Sequence, residues 1–156
     1  MVGSSSMITY RQISPRDREY AGEKVLRNKV LRVPLGLTLS EQDLQGEDTQ
    51  VHLAAVDERG QVVGCVLVAF PENGAKIRQI AIEEGYRGRG IGTQLMKSAE
   101  QVVRDRTIGS VSLHARLASR SFFEKLGYSA ASEVFTEVTI PHINMEKCLV
   151  PPVKNV

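Results

Sequence analysis

The pattern of hydrophobic and polar positions predicts mainly strands over residues 51–82 and changes to a helical period after residue 90. The early stretches ITYRQI, VHLAAV, VVGCVLVAF and AKIRQIAI alternate apolar and polar residues or are almost continuously apolar, as β-strands are. DERG and PENG separate the last three stretches and have the composition of turns. The pattern therefore predicts a first strand and then an antiparallel meander over residues 51–82.

Helices are predicted between the first strand and the meander. Ser14 and Pro15 begin one helix, because serine suits the N-cap and proline suits the first helical position. Pro34 and Gly36 end this helix, and its apolar face consists of Ala21, Val25, Leu26 and Val30. A weaker form of the capping box, SEQD, predicts that a short second helix begins at Ser40.

The second half of the chain begins with a strongly amphipathic helix that ends near Arg106. The side predicted to be buried consists of Ile91, Leu95, Met96, Ala99, Val102 and Val103. The side predicted to face solvent consists of Lys97, Glu100, Gln101 and Arg104. Gly109 then breaks the helix, and SVSLHA is a strand that the crossover makes parallel to AKIRQIAI. SRSFFEKLGY predicts a short helix with Gly127 at C′. EVFTEVT and HINMEKCL are two final strands joined through Ile140 and Pro141.

Composition and charge limit the classes of protein that this chain can belong to. A hydrophobic fraction of 42% and a charged fraction of 24% are typical of a soluble globular protein. We expect a flexible leader over residues 1–6 and one domain over residues 7–156. Lysine and arginine, 20 in total, barely outnumber the 18 acidic residues, which argues against a nucleic-acid binder. The longest apolar run, residues 62–70, is too short for a membrane span, so we expect a cytoplasmic protein.

The cysteine residues do not predict a metal site or a disulfide. Cys65 and Cys148 stand in apolar runs, VVGCVLV and EKCLV, and neither has the spacing of metal ligands. We therefore predict that both are small buried hydrophobic residues in a reducing compartment.

Residues 86–93 read YRGRGIGT and lie between a predicted strand and a predicted helix. The first amides of a helix lack intrahelical partners and carry partial positive charge, so they bind phosphate oxygens where side chains leave room. The glycines of the loop leave that room, and Arg87 and Arg89 add charge. A tight turn with solvated arginines is the alternative, but three glycines before an amphipathic helix favour an anion site.

Two common nucleotide-binding motifs do not fit this loop. A Rossmann fingerprint requires glycine where Thr93 stands, and a P-loop requires a lysine that GIGT lacks. RGRGIG instead matches the Q/R-x-x-G-x-G/A signature of the GNAT superfamily of N-acetyltransferases. IRQIAI resembles the family's fourth strand, and HARLASRSFFEKLGY its fifth strand and following helix. VLRVPLGL and FTEVTIPHINMEKCL are similar to a subgroup that ends in F-x-E-V-G-I-P-H-x-x-M-x-K.

This resemblance implies an α/β fold and a cofactor site. The GNAT fold has a mixed, mostly antiparallel sheet of about seven strands with helices on both faces. Its parallel pair splays into a slot for the pantetheine arm of acetyl-CoA. The implied pyrophosphate loop is Arg87, Gly88, Arg89, Gly90, Ile91, Gly92 and Thr93. The implied pantetheine contacts are the backbone of Ile80, Ala81 and Ile82, and further cofactor contacts are Arg116, Ser119 and Phe123.

The sequence departs from the family pattern at three positions that bear on catalysis. Many members have a Phe-Tyr pair whose tyrosine is the general acid, and here the pair is Phe122-Phe123. Some members have a glutamate base on the fourth strand, where this chain has Arg78-Gln79. Arg116 replaces an asparagine that binds the cofactor in many relatives.

The remaining candidates for proton transfer are His142, Glu137 and Tyr128. Histidine titrates near neutral pH, and His142 begins a strand near the expected split of the sheet. A partly buried histidine bonded to a backbone carbonyl is an equally good interpretation of His142. Glu137 is alternatively a solvent-facing strand residue, and Tyr128 a core residue. His52 and His114 lie within apolar strands and are expected to be structural.

The leading hypothesis is an acetyl-CoA-dependent N-acetyltransferase that acts on a primary amine of a small molecule or a protein. The alternative is a binding module that retains the coenzyme A site without catalysis, since the tyrosine is missing. A nucleotide-binding regulatory domain is a third interpretation. No nucleic acid, membrane or metal partner is expected, and both a monomer and a homodimer are compatible with the sequence.

Overall fold

The computed structural model describes residues 7–72 and 74–149. The predicted leader, residues 1–6, lies outside the described residues, as does one residue of the PENG turn. The strands are β1 (Thr9–Ile13), β2 (Val51–Val56), β3 (Val62–Ala69), β4 (Lys76–Ile82), β5 (Ser110–Arg116), β6 (Ser129–Ala130), β7 (Phe135–Glu137) and β8 (Ile140–Cys148). The α-helices are α1 (Glu19–Leu31), α2 (Ile91–Asp105) and α3 (Arg120–Lys125).

The strands form one eight-stranded sheet in the order β1-β2-β3-β4-β5-β8-β6, with β7 also paired to β8. The two-residue strand β6 was not predicted from the sequence. Among the strands of the described residues, only β4 and β5 run parallel, and their pairing is limited to Lys76 opposite Ser112 and Ile77 opposite Leu113. Beyond this point the two strands diverge. The predicted mixed sheet and its splayed parallel pair are therefore confirmed.

Helices pack on both faces of the sheet, because successive strand residues point to opposite faces. Cys65 of β3 and Ala81 of β4 form a cluster with Leu26 of α1 on one face, which we call the α1 face. Val66 belongs to the main core with Leu95 of α2, on the opposite face. The main core continues into β5 and β8, whose alternate residues are buried beneath α2 and α3.

The first helix differs from its prediction in where it begins and in what it buries. Ser14 and Asp17 form a turn, with the Ser14 amide donating to the Asp17 carboxylate, and the helix begins only at Glu19. Val25, predicted to be buried, is 67% exposed. The buried positions of α1 are Leu26 and the two charged residues Glu23 and Arg27. A pattern that places every charge outside therefore misassigns this helix.

The predicted second helix does not form. The capping box itself is present, since Ser40 and Asp43 exchange backbone-to-side-chain hydrogen bonds of 2.9 and 3.1 Å. Turns follow it, however, and then a single 3₁₀ turn over Glu47–Thr49. Gly46 has φ +78°, a left-handed conformation that ends a helix, and Glu47 is drawn into the protein interior.

Three further sequence predictions are wrong in detail. Glu100, predicted to face water, is buried and accepts a hydrogen bond from the hydroxyl of Tyr128, which is a core residue. Cys148 is exposed, whereas Cys65 is buried. At the end of β8 the inward-facing positions are those of Met145 and Leu149, so the side chain of Cys148 points outward. Pro141 lies inside β8 instead of joining two strands.

A two-residue turn, Val138-Thr139, joins β7 to β8. Both residues have positive φ, +42° and +72°. Two-residue hairpins favour such turns because their twist matches that of the strands, but Asn and Gly usually occupy them. A β-branched residue in this region is strained. The turn nevertheless places the preceding residue, Glu137, opposite Ile140.

Candidate active site

The divergence of β4 and β5 opens a cleft of about 750 Å³. This volume is in the range of small-molecule and cofactor sites. All the predicted cofactor residues except Arg89 line the cleft, as do His142 and Glu137. The structure thus gathers residues from β4, the glycine loop, β5, α3 and the β7–β8 hairpin into one site.

The glycine loop ends at the first turn of α2 with two left-handed residues. Gly88 has φ +77° and Gly90, the N-cap of α2, has φ +81°. A Cβ built on either residue meets no other atom within 4 Å. Backbone conformation therefore requires these two glycines, and the space beside them is open to a ligand. Gly92 has a different role, since a Cβ there would lie 3.3 Å from the Phe122 ring.

The two arginines of the loop are not equivalent. Arg87 lines the cleft, where its Nε donates to the Ile82 carbonyl at 3.4 Å. Arg89 lies outside the cleft lining, with its guanidinium 5.0 Å from the centroid of the Tyr86 ring. Arg87 is therefore better placed than Arg89 to contact an anion within the cleft.

The backbone of β4 bulges where it borders the cleft. Gln79 has φ +57°, and the β3–β4 register shifts between Cys65 and Leu67, opposite this residue. Bulges of this kind interrupt the ladder and redirect the strand, and they are frequent beside active sites. Here the bulge accompanies the separation of β4 from β5.

Buried charged residues hold the side chain of the bulged residue. The Gln79 Oε1 accepts from the Nε of Arg27 at 3.0 Å. The Nη1 of Arg27 donates to Glu23 at 3.0 Å and to Glu47 at 2.8 Å. The Nη2 of Arg27 forms a second, shorter ion pair with Glu47. The hydroxyl of Tyr20 also donates to Glu47. The bulge of β4 is thus anchored to the inside of α1.

His52 completes this buried cluster. Its Nδ1 lies 3.0 Å from the Glu23 carboxylate and its Nε2 lies 2.8 Å from the Glu47 carbonyl. Both partners are acceptors, so both ring nitrogens donate and the imidazole is protonated. Burial opposes the charge, but the hydrogen bond to Glu23 outweighs it and the pKa of His52 is raised. The positive charges of Arg27, His52 and Arg78, the last 3.3 Å from Glu47, surround the two glutamates.

The far side of the cleft carries a second polar cluster, His114, Glu137 and His142. The Nδ1 of His114 lies 2.9 Å from Glu137 Oε1, and the Nε2 of His142 lies 3.9 Å from Glu137 Oε2. The Nδ1 of His142 donates to the Ile140 carbonyl at 2.9 Å. Phe135 contacts both imidazole rings. His114 was expected to be structural, and the structure places it in the cleft lining.

Arg116 ends β5 on the same face as these histidines. It stands opposite His142 in the β5–β8 register, and its Nη2 donates to the Leu31 carbonyl of α1 at 2.8 Å. Burial, and next the charge of Arg32, lower its pKa. Arg32 itself is paired with Asp43 at 3.0 Å.

Comparison with known proteins identifies the family. The model of a protein family described as "Acetyltransferase (GNAT) domain" matches residues 19–149, which is more than half of the chain. The chain belongs to the GNAT superfamily of acetyltransferases. A Bacillus subtilis (strain 168) protein that carries an acetyltransferase name is 32% identical over 114 residues, covering 73% of this chain and 76% of that protein.

Solved structures of GNAT proteins have the same fold. A crystal structure of an N-acetyltransferase from Lactobacillus plantarum has a TM-score of 0.80 at 20% identity and covers 94% of this chain and 100% of that one. An aminoglycoside 6′-N-acetyltransferase complexed with coenzyme A has a TM-score of 0.73 at 17% identity, covering 94% and 99%. Among the residues described for this GNAT protein, no helix is long and apolar enough to cross a membrane.

Sequence reasoning found most of this GNAT cleft but missed several of its residues. The missed lining residues come from the end of α1, the β4 bulge, the start of the glycine loop, β5, α3 and the β7–β8 hairpin: Val30, Leu31, Arg32, Gln79, Tyr86, His114, Phe122 and Val138. A positive φ at a glutamine has no sequence signature. Phe123, in the position of the family's tyrosine, is buried and packs edge-on against Phe122 and Tyr128.

Proposed function

We propose that this protein transfers the acetyl group of acetyl-CoA to a primary amine. The observation that carries the proposal is the single cleft that joins the open glycine loop at one end to the His114–Glu137–His142 cluster at the other. An enzyme that transfers an acyl group to an amine needs the two substrates aligned and a route for the proton of the amine. Both requirements have residues in this cleft.

The residues of the cofactor half fit coenzyme A. The amides of the first turn of α2 and the side chain of Arg87 suit a pyrophosphate. Within the described residues, β5 pairs with β4 only as far as Ile77. The backbone of Ile80, Ala81 and Ile82 therefore lies on an unpaired edge of β4. Such an edge suits the amides of an extended pantetheine arm. Acetyl-CoA supplies the activated acetyl group when it is bound.

His142 and Glu137 are the proposed route for the proton of the amine. Because Nδ1 of His142 donates to the Ile140 carbonyl, the lone pair of the neutral ring is on Nε2, towards Glu137. An imidazole in this tautomer accepts a proton directly or through water. The Glu137 carboxylate stabilises the imidazolium and is shared with His114. Phe123 has no hydroxyl with which to protonate the leaving thiolate, so water or another side chain supplies that proton.

The test combines binding and turnover in matched glycine variants. Gly90→Val restricts the turn and obstructs the pyrophosphate, so we expect acetyl-CoA binding in calorimetry to be lost. Gly60→Val is the control, since Gly60 has a similar φ of +83°, equally open surroundings and a place in the DERG turn. Equal acetyl-CoA affinity in both variants refutes the cofactor site. Binding without thiol release across an amine panel shows a coenzyme A sensor instead of an enzyme.

A further inference from the structure

Arg116 has a charge that no carboxylate balances within residues 7–72 and 74–149. The Leu31 carbonyl accepts one of its hydrogen bonds, which leaves further guanidinium donors for the cleft that Arg116 lines. Arg32, which lies close enough to affect it electrostatically, is paired with Asp43. A half-buried, uncompensated arginine in a cleft is a binding site for an anion.

The position of Arg116 separates it from the predicted phosphate loop. Ala115 belongs to the core beneath α2, so Arg116 points to the opposite, α1 face of the sheet. The glycine loop instead begins α2, and Arg87 already supplies a cation there. Arg116 therefore lies on the side of the cleft where the His114–Glu137–His142 cluster stands.

We propose that the acceptor is an amine that also carries a carboxylate, of the amino-acid type. Arg116 binds the carboxylate, and the His114–Glu137–His142 cluster receives the amino group. This inference rests on the proposed function, because it names the substrate class of the same cleft. It replaces the cofactor contact that the sequence resemblance suggested for Arg116.

The spacing of the two groups fits a short zwitterion. Arg116 and His142 are direct neighbours across the β5–β8 pair, where Cβ atoms are about 5 Å apart. His114 is two residues from Arg116 on the same face, or about 7 Å along the strand. Arg116 and the cluster thus stand one or two positions apart on one face of the sheet, close enough for one small molecule to contact both. The negative charge of Glu137 further favours a cationic amino group beside it.

The experiment measures binding first, so that it does not depend on turnover. Protein saturated with coenzyme A is titrated with sets of three probes: L-phenylalanine, its amide and phenethylamine, and likewise L-lysine, its amide and cadaverine. We expect the carboxylate-bearing member of at least one set to bind roughly ten- to a hundredfold more tightly than its amide, the usual scale for a hydrogen bond to a charged group. Equal binding within every set, or no binding of any probe at millimolar concentration, overturns the proposal.

Three variants assign the effect to Arg116. Arg116→Gln should abolish the preference for the carboxylate while leaving the affinities for coenzyme A and for phenethylamine or cadaverine unchanged. Arg87→Gln should show the reverse, a weaker coenzyme A affinity with the preference retained. Arg120→Gln, on the exposed surface of α3 beside Glu124, should change neither. A loss of coenzyme A affinity in Arg116→Gln, with the preference intact, overturns the assignment and returns Arg116 to the cofactor.

Turnover distinguishes this proposal from the proposed function. With acetyl-CoA, the KM of the preferred probe should rise roughly ten- to a hundredfold in Arg116→Gln while the KM of acetyl-CoA stays constant. If the preference for carboxylates is present in binding but no probe is acetylated, the proposed acetyl transfer to these amines fails while the anion site stands. If amines without a carboxylate are acetylated as fast as their partners, acetyl transfer stands and the anion site fails.

Discussion

Replacing His52 should make the stability of the protein less dependent on pH. His52 donates to the Glu23 carboxylate and to the Glu47 carbonyl, and its pKa is raised above the ordinary value of 6.5. A group with a raised folded-state pKa contributes stability that is fully present below the unfolded-state value and is lost as pH rises through the folded-state value. The wild-type protein should therefore lose stability as pH rises above about 6.5.

The size of the effect follows from one proton. Between the unfolded-state and folded-state pKa values of His52, the folded protein binds up to one proton more, so the free energy of unfolding falls by at most about 1.4 kcal/mol per pH unit. At low pH, His52→Gln leaves the buried glutamates with one balancing charge fewer, which should cost about 3 kcal/mol, the lower end for a broken buried ion pair. The difference between wild type and variant should shrink as pH rises.

Denaturant unfolding of both proteins from about pH 5.5 to about pH 9 measures this difference. This range of pH is chosen because imidazole titrates near neutral pH. Tyr20 and Glu47, which belong to the same cluster, do not titrate in this range. Burial and the hydrogen bond to Glu47 raise the pKa of Tyr20 to about 12. Burial opposes ionisation of Glu47, but Arg27 outweighs it and lowers the pKa of Glu47. A constant difference would mean that the pKa of His52 is the same in the folded and unfolded protein, and a difference that grows as pH rises would mean that the ring is neutral in the folded protein. Either result refutes the two-donor assignment.

Two further substitutions test the packing and the strain of the fold. Gly64→Ala should destabilise the protein by about 1–3 kcal/mol through overpacking, because the added Cβ lies 3.0 Å from Ile91 Cγ2. Gly109→Ala is the control, since a Cβ at Gly109 meets open space. Equal melting temperatures of the two variants would contradict the packing argument. Thr139→Gly should stabilise the protein by about 1 kcal/mol in denaturant unfolding, because it relieves a left-handed φ of +72°; a loss of stability would show that contacts of the threonine outweigh the strain.

The glycine loop could be predicted from sequence because its conformation depends on backbone angles that only glycine readily adopts. A left-handed N-cap and an open approach to the amides of a helix require glycine, so the residue type alone carries the signal. Gly88 and Gly90 have left-handed backbones and open surroundings, whereas a Cβ at Gly92 would lie 3.3 Å from the Phe122 ring. Strands β2 to β5 were predicted for a similar reason, since their period and their valine-rich composition are local properties.

The buried charges could not be predicted in this way. Arg27 and Glu47 are 20 residues apart in sequence, and only the folded chain brings them together inside the protein. Periodicity assigned Val25 to the buried face of α1, whereas Val25 is exposed and the charged residue Arg27 is buried. His114 was missed because its strand is apolar, although its side chain faces the open cleft and not the core. Cys148 was expected to be buried because its neighbours are apolar, but the alternation of inward and outward residues along β8 leaves it exposed.

Because β4 and β5 pair so briefly, an extended ligand bound in the cleft would tie the lifetime of the protein to the supply of that ligand. Two residue pairs at one end join these strands directly, so an extended ligand in the cleft contacts both halves of the sheet. A ligand that binds only the folded chain adds about 2.7 kcal/mol at a hundred times its Kd. Proteases cleave chains that open transiently, at a rate set by the open population. A cell short of this ligand would therefore degrade the protein faster, and its abundance would follow the metabolic state.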